Sequence, residues 1–220
     1  MSRATAAKRL RFTPLALTTV LLSAGLLSLS VTGTLAGFSG AITNDSNKVT
    51  TGSLVMVEQG STSTTCSSTS GASISTNAAT CSTINDFGGP GSTAMVPGAT
   101  VSQTITVKNT GSLNPSAFTV GPPAQNAACQ QAAVGSPAGS ALDLCSKLTL
   151  TITQDGAATP AFSGTLTQFA SLTAAKPLAV AKVAAGGTSS LVLAVTLDPA
   201  ADNSYQGLQA TLPMTWTFTS

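Results

Sequence analysis

The chain has no histidine and, beyond residue 11, no arginine. The first absence excludes a His-based triad, an H-E-x-x-H zinc site and His-ligated metals in general. The second removes the planar fork that grips phosphate and, with it, the basic surface that nucleic acid requires. Glutamate occurs once, at Glu58. The aspartates Asp45, Asp86, Asp143, Asp155, Asp198 and Asp202 are scattered, mostly beside Gly, Pro or Asn, and read as turn and cap residues. The loop "DPAADN", with Asp198, Asp202 and Asn203, is a candidate calcium site that offers few of the six or so oxygens calcium takes, and reads first as a solvated turn. Leu, Glu and Lys at helical spacing are missing as well, which excludes a helical bundle. No catalytic residue, metal ligand or cofactor site is assigned.

What is present begins with a polarised N-terminus. Arg3, Lys8, Arg9 and Arg11 precede an uncharged run from Phe12 to Val31. Thr34-Leu35-Ala36 then puts small residues at the two positions a signal peptidase reads. This order is that of a secretory signal, residues 1–36, cleaved between Ala36 and Gly37. The run from Leu15 to Ala36 is also long enough to stay as a membrane helix; Gly33 and Ala36 favour cleavage. On this reading the chain touches the membrane only through the signal before cleavage, and the remainder is exported to the cell surface or beyond.

Cleavage changes the charge. Of nine basic residues, five remain (Lys48, Lys108, Lys147, Lys176 and Lys182) against seven acids, and 5 − 7 gives −2. The remaining residues, 37–220, suit one domain. They are rich in Ser, Thr, Ala, Gly and Val, as befits short strands joined by polar turns. The four cysteines form an even set outside the cytoplasm and read as two disulfides. The local pairing, Cys66–Cys81 and Cys129–Cys145, closes two rings inside two Gly/Ser/Ala-rich loops, 60–98 and 121–146, each worth ~3 kcal/mol in the chain-entropy model. A metal site built from all four cysteines lacks its C-x-x-C knuckles.

Alternation marks the strands. "VSQTITVKN" sets Val101, Ile105 and Val107 on one face, and "KLTLTIT" does so with Leu148, Leu150 and Ile152. "LVLAVTL" turns Leu191, Leu193, Val195 and Leu197 inward, and its half-apolar other face suits a central position. "ATLPMTWTFTS" aligns Leu212, Met214, Trp216 and Phe218, with Pro213 requiring an edge or a bulge. Weaker strands are expected over 53–59, 116–120, 161–166 and 177–183, and a short helix near "SALDLCSK". Period two over such lengths predicts an all-β, two-sheet antiparallel sandwich of jelly-roll type. Lys108 beside Asn109 reads as a strand end entering a turn rather than as half of an isopeptide bond. Gly88-Gly89-Pro90-Gly91 has no strand–helix context and is not a phosphate cradle. "LPMTW" lacks what a sortase signal needs and reads as core strand.

Three stretches carry a resemblance. "GTLAGFSGAITNDSNKVTTGSLVM" is similar to the start of TasA/camelysin-like proteins, through Gly33, Thr34, Ala36, Phe38, Thr43, Asn44, Gly52 and Leu54. "VPGATVSQTITVKNTGSL" resembles that family's strand and N-x-G-x-L turn. The tail resembles its ending through Asn203, Tyr205, Gln206, Gly207 and Phe218. The resemblance implies a jelly-roll-like sandwich, export through a dedicated signal peptidase, and a place in biofilm matrix fibres. Some relatives are described as metalloendopeptidases; a chain without histidine departs from any ordinary metalloprotease, and that activity is not carried over. The expected role is therefore structural, with partners drawn from further copies of the chain or other matrix proteins. Gly37 to about Thr50 would either add as a strand to the sheet edge of the next copy, with Phe38 and Ile42 as anchors, or pair with its own sheet. The other expectations are a secreted metalloendopeptidase of camelysin type, which would need an unconventional site of Asp and Glu side chains, and a monomeric binding module using the two long loops.

Overall fold

A computed structural model describes residues 46–71, 75–88, 94–123, 128–172 and 176–220. The chain divides into two units, Met1–Val49 and Thr50–Ser220, and all the strands described lie in the second. Thr34, Ala36, Gly37, Phe38 and Ile42 lie outside the described residues.

The second unit is an all-β sandwich. Its larger sheet joins β1 (Met56–Gln59), β2 (Thr65–Ser67), β3 (Thr100–Asn109), β6 (Leu148–Gln154), β7 (Phe162–Thr165) and β9 (Thr188–Leu197) in the order β2-β1-β3-β9-β6-β7. The facing sheet has the order β11-β4-β8, from β4 (Ala117–Gly121), β8 (Leu178–Val180) and β11 (Thr215–Thr219). A two-stranded ribbon pairs β5 (Gln130–Ala133) with β10 (Leu208–Thr211). Every pairing is antiparallel. Two short helices, α1 (Leu144–Lys147) and α2 (Leu166–Ala170), complete the unit.

The alternating residues face inward as expected. Ile105, Val107, Leu148, Leu150, Ile152, Leu191, Leu193, Val195 and Leu197 are buried on one face of the larger sheet. β9 is central, flanked by β3 and β6, so Val192 and Ala194 on its other face are themselves half-buried. From the opposing layer come Phe118, Val120, Val183 and Leu212, with Leu166 and Phe169 of α2. Phe118 sits edge-on to Phe218 at 4.9 Å between ring centres, and Phe169 does the same to Phe162 at 5.2 Å.

Three expectations need correction. The last strand is two strands. Pro213 has no N–H to donate, and the chain leaves β10 at Thr211, buries Leu212 and starts β11 at Thr215 against a different partner, β4. The loops 60–98 and 121–146 are not bare: they contain β2 and β5. The chain after β7 turns into α2, whose Thr165 and Gln168 form a reciprocal capping box. The helix expected near "SALDLCSK" is α1, and both disulfides take the local pairing.

One edge of the sandwich is closed by polar side chains. Asn109, fully buried at the end of β3, donates to Leu113 O at 2.9 Å and to Val183 O at 3.1 Å, and accepts from Gly111 N at 3.0 Å. Gln154, at the end of β6, acts as a piece of strand: it donates to Ala181 O at 2.8 Å and accepts from Ala181 N at 2.6 Å. Both amides thereby tie the larger sheet to the segment that follows β8. The N-x-G turn is also fixed from below. A side chain at Gly111 would meet the backbone of Leu54 and Val55 within 3 Å, because Thr110 and Ser112 hydrogen-bond Val55 and Ser53 there. Among the described residues no buried polar side-chain atom lacks a partner.

Candidate functional site

Among the described residues a gap lies between β1 and β11. A groove of about 1520 Å³ runs there, walled by β1 on one side and by the β10–β11 segment on the other. Its apolar lining includes Met56, Ile84, Phe87, Met95, Met214 and Trp216, all only partly buried. Among the described residues the smaller sheet has three strands where the larger has six, which leaves part of the larger sheet without a strand facing it. Among the described residues β11 is the terminal strand of that sheet and pairs with β4 on one side only, so its other backbone edge can accept a strand.

A polar cluster spans the groove. Glu58 lies on β1, directly across from Cys66 of β2 and Val107 of β3. Trp216, on β11, donates its indole N–H to Glu58 Oε1 at 3.2 Å. Asp86 reaches the same place from the segment after Cys81, and its carboxyl stands beside that of Glu58. Asp86 is held in a tight turn: Asn85 accepts from Phe87 N at 3.2 Å and donates to Gly88 O at 3.1 Å. Burial pushes the Glu58 carboxyl up to about 8, and the negative charge of Asp86 beside it adds to the shift. Burial raises the Asp86 carboxyl too. Two carboxyls this close and this buried do not both ionise readily, so the pair retains a proton that exposed carboxyls would already have lost.

Sequence reasoning missed this site. The residues around Asp86 read as a solvated turn; it occupies a turn, but its side chain is drawn into the groove against the only glutamate. The three residues come from distant parts of the chain, with 158 positions between Glu58 and Trp216, so no local pattern joins them. Among the described residues, Asp198, Asp202 and Asp155 do serve turns, and Asp45 lies outside them. Asp198 accepts from Ala200 N and pairs with Lys147 at 3.1 Å, and these hold its carboxyl below the usual range. Asp202 caps the 3-10 turn Asn203–Tyr205 through Ser204 N at 2.9 Å. Asp155 accepts from Ser190 N at 2.7 Å.

The tail motif has a structural meaning. Tyr205 donates to Asp143 at 2.7 Å, and Gly207 adopts φ +66 beneath Gly135, where Val134 N and Gly135 N both bond its carbonyl. These residues dock the β5–β10 ribbon onto the segment leading to α1. The Cys129–Cys145 disulfide fastens the same region, and Cys66–Cys81 fastens the Asp86 segment to β2. Two disulfides are what an oxidising compartment forms and keeps. No helix among the described residues is long and apolar enough to cross a membrane, and no group of three potential metal-ligating acids or cysteines occurs among them. No protein-family model matches the chain, and no curated protein matches it in sequence.

Proposed function

We propose that this protein is a secreted structural component of a cell surface or biofilm matrix, of the TasA/camelysin-like kind, that assembles into fibres by strand donation. The single observation that carries the reading is the apolar groove beside an edge of β11 that no described strand pairs. An extended segment laid along β11 would satisfy that edge with main-chain hydrogen bonds and drop alternate side chains into the groove. The donor is Gly37 to about Thr50 of the next copy, a weakly apolar stretch upstream of the folded unit that begins at Thr50. Phe38 and Ile42 stand four positions apart and so share one face of an extended strand. Head-to-tail addition of this kind does not close on itself and produces a filament.

A synthetic peptide of residues 37–50 tests the reading. Added in excess to the exported protein, it should occupy the acceptor groove and stop filament growth. The same peptide with Phe38→Ser and Ile42→Ser should leave growth unchanged. Equal inhibition by both peptides, or by neither, would remove the groove from assembly. The groove also suits a second reading, a monomeric module that holds an extended polymer from outside. That reading predicts no filaments at any protein concentration.

A further inference from the structure

We propose that the outward face of the larger sheet is a pairing surface on which a second copy of this chain docks face to face. The pairing does not rest on the reading of the groove, which lies on the inner side of the same sheet, where Glu58 stands opposite the buried Val107. The register lays the outward face out in rows. Thr165, Thr149, Thr196 and Thr100 stand side by side across β7, β6, β9 and β3, and the hydroxyls of Thr100 and Thr196 hydrogen-bond at 2.7 Å. The next row is Ser163, Thr151, Ala194 and Ser102. The third sets Val192 between Thr153 and Thr104. On β3, β6 and β9 these residues alternate with those turned toward the core, so they point away from it.

Charge is missing where a solvated sheet carries it. The surface of a soluble domain is normally about 25–35% charged residues. Among the described strand residues of this face only Lys108 is charged, and it stands at the rim, near the end of β3. The carboxylate of Asp155, just past β6, is taken up by Ser189 Oγ at 3.0 Å and Ser190 N at 2.7 Å. This pattern selects a second copy as the occupant. A two-fold interface sets a surface against itself, so a charged face would be repelled and this one is not. Threonine and serine hydroxyls both donate and accept, which makes the face complementary to its own chemistry. Short β-branched side chains of low charge let two sheets interdigitate at about 10 Å. At about 3.3 Å per residue and about 4.8 Å per strand, the six strands present ~600 Å². Two copies together cover ~1,200 Å², the lower bound of a specific interface, so the pair forms reversibly. β3 and β9 are the middle strands of the six, which puts Ala194 near the two-fold axis and against its own counterpart.

Sedimentation velocity on the exported protein tests the pairing, over about 1 to about 300 µM. An excess of the peptide of residues 37–50 keeps strand donation out of the measurement. The expected result is a monomer at the low end and twice the monomer mass at the high end. Ala194→Lys and Ala194→Glu should each weaken pairing by at least about a hundredfold, because like charges then meet at the axis. An equimolar mixture of the two should pair again, which a misfolded variant could not do. Thr151→Lys and Thr151→Glu, in the same row on β6, repeat the test at a second position, and far-UV circular dichroism verifies each fold. A monomer at every concentration leaves the face to some other partner and overturns the proposal. So does a pair that the lysine variants leave intact, or a mixture that stays monomeric. Omitting the peptide separates this claim from strand donation. Pairs without filaments support the face and contradict donation. Filaments from a protein that is monomeric with the peptide present support donation and overturn the face.

Discussion

Phe118→Ala should destabilise the domain by about 4 kcal/mol, a large share of the roughly 5–15 kcal/mol that holds a domain folded. Phe118 lies on β4, the middle strand of the smaller sheet, and is 1% exposed. It stands opposite Phe218 in register and packs edge-on against it at 4.9 Å, with Trp216 at 6.1 Å. Truncation removes the ring that joins both aromatic side chains of β11 to the core. The Asn109 and Gln154 ties between the larger sheet and the segment after β8 limit how far the flanking strands can collapse into the space. For a domain of this size the melting temperature should fall by roughly 10 °C. Phe218→Ala, at a half-buried position on the edge strand, should cost clearly less. Thermal unfolding of the two variants is the check; equal losses would mean that Phe118 is not the keystone of the smaller sheet.

Asn109→Ala should cost about 3 kcal/mol, although it removes few atoms. The carboxamide uses both donor positions and its acceptor, and the groups it serves are the carbonyls of Leu113 and Val183 and the N–H of Gly111. Without the amide these backbone groups lose their partners beside a fully buried position, where each unsatisfied group costs about 1–3 kcal/mol. Asn109→Asp should be no better at neutral pH, since a carboxylate would face two carbonyl oxygens instead of donating to them. Urea unfolding should show both variants shifted to a lower midpoint with an unchanged slope. A loss below about 0.5 kcal/mol in Asn109→Ala would show that water replaces the side chain at no cost.

How far the fold could be read from the residues depends on what specified each element. β3, β6 and β9 were legible because each buries one face, and burial writes period two into the chain. Both disulfides were legible because each pair brackets a single loop. β5 was not: Gln130-Gln131-Ala132-Ala133 has no apolar alternation. It becomes a strand through main-chain pairing with β10 and through Gln131, whose side chain bonds Ala141 O and Leu144 N. The Thr165…Gln168 box announced α2, but a five-residue helix carries too little periodicity to stand out from the strand before it. Pro213 signalled a disturbance, and only the change of partner from β5 to β4 turned it into a break.

The candidate site was the least legible part for a physical reason. A groove is a mismatch between two sheets, and its width is a property of strand number and connection, not of any segment. The acid pair follows the same logic. Glu58 gave no sign of its protonation in "VMVEQ", because the shift comes from burial and from Asp86, brought there by the disulfide and the turn at Asn85.

The central claim is that the segment beginning at Gly37 completes the groove of another copy. The most direct measurement is electron microscopy with size-exclusion chromatography on residues 37–220 beside a chain beginning at Thr51. Strand donation predicts filaments from the longer chain and monomers from the shorter, with both folded by circular dichroism. Monomers from both at high concentration, or filaments from both, would contradict it.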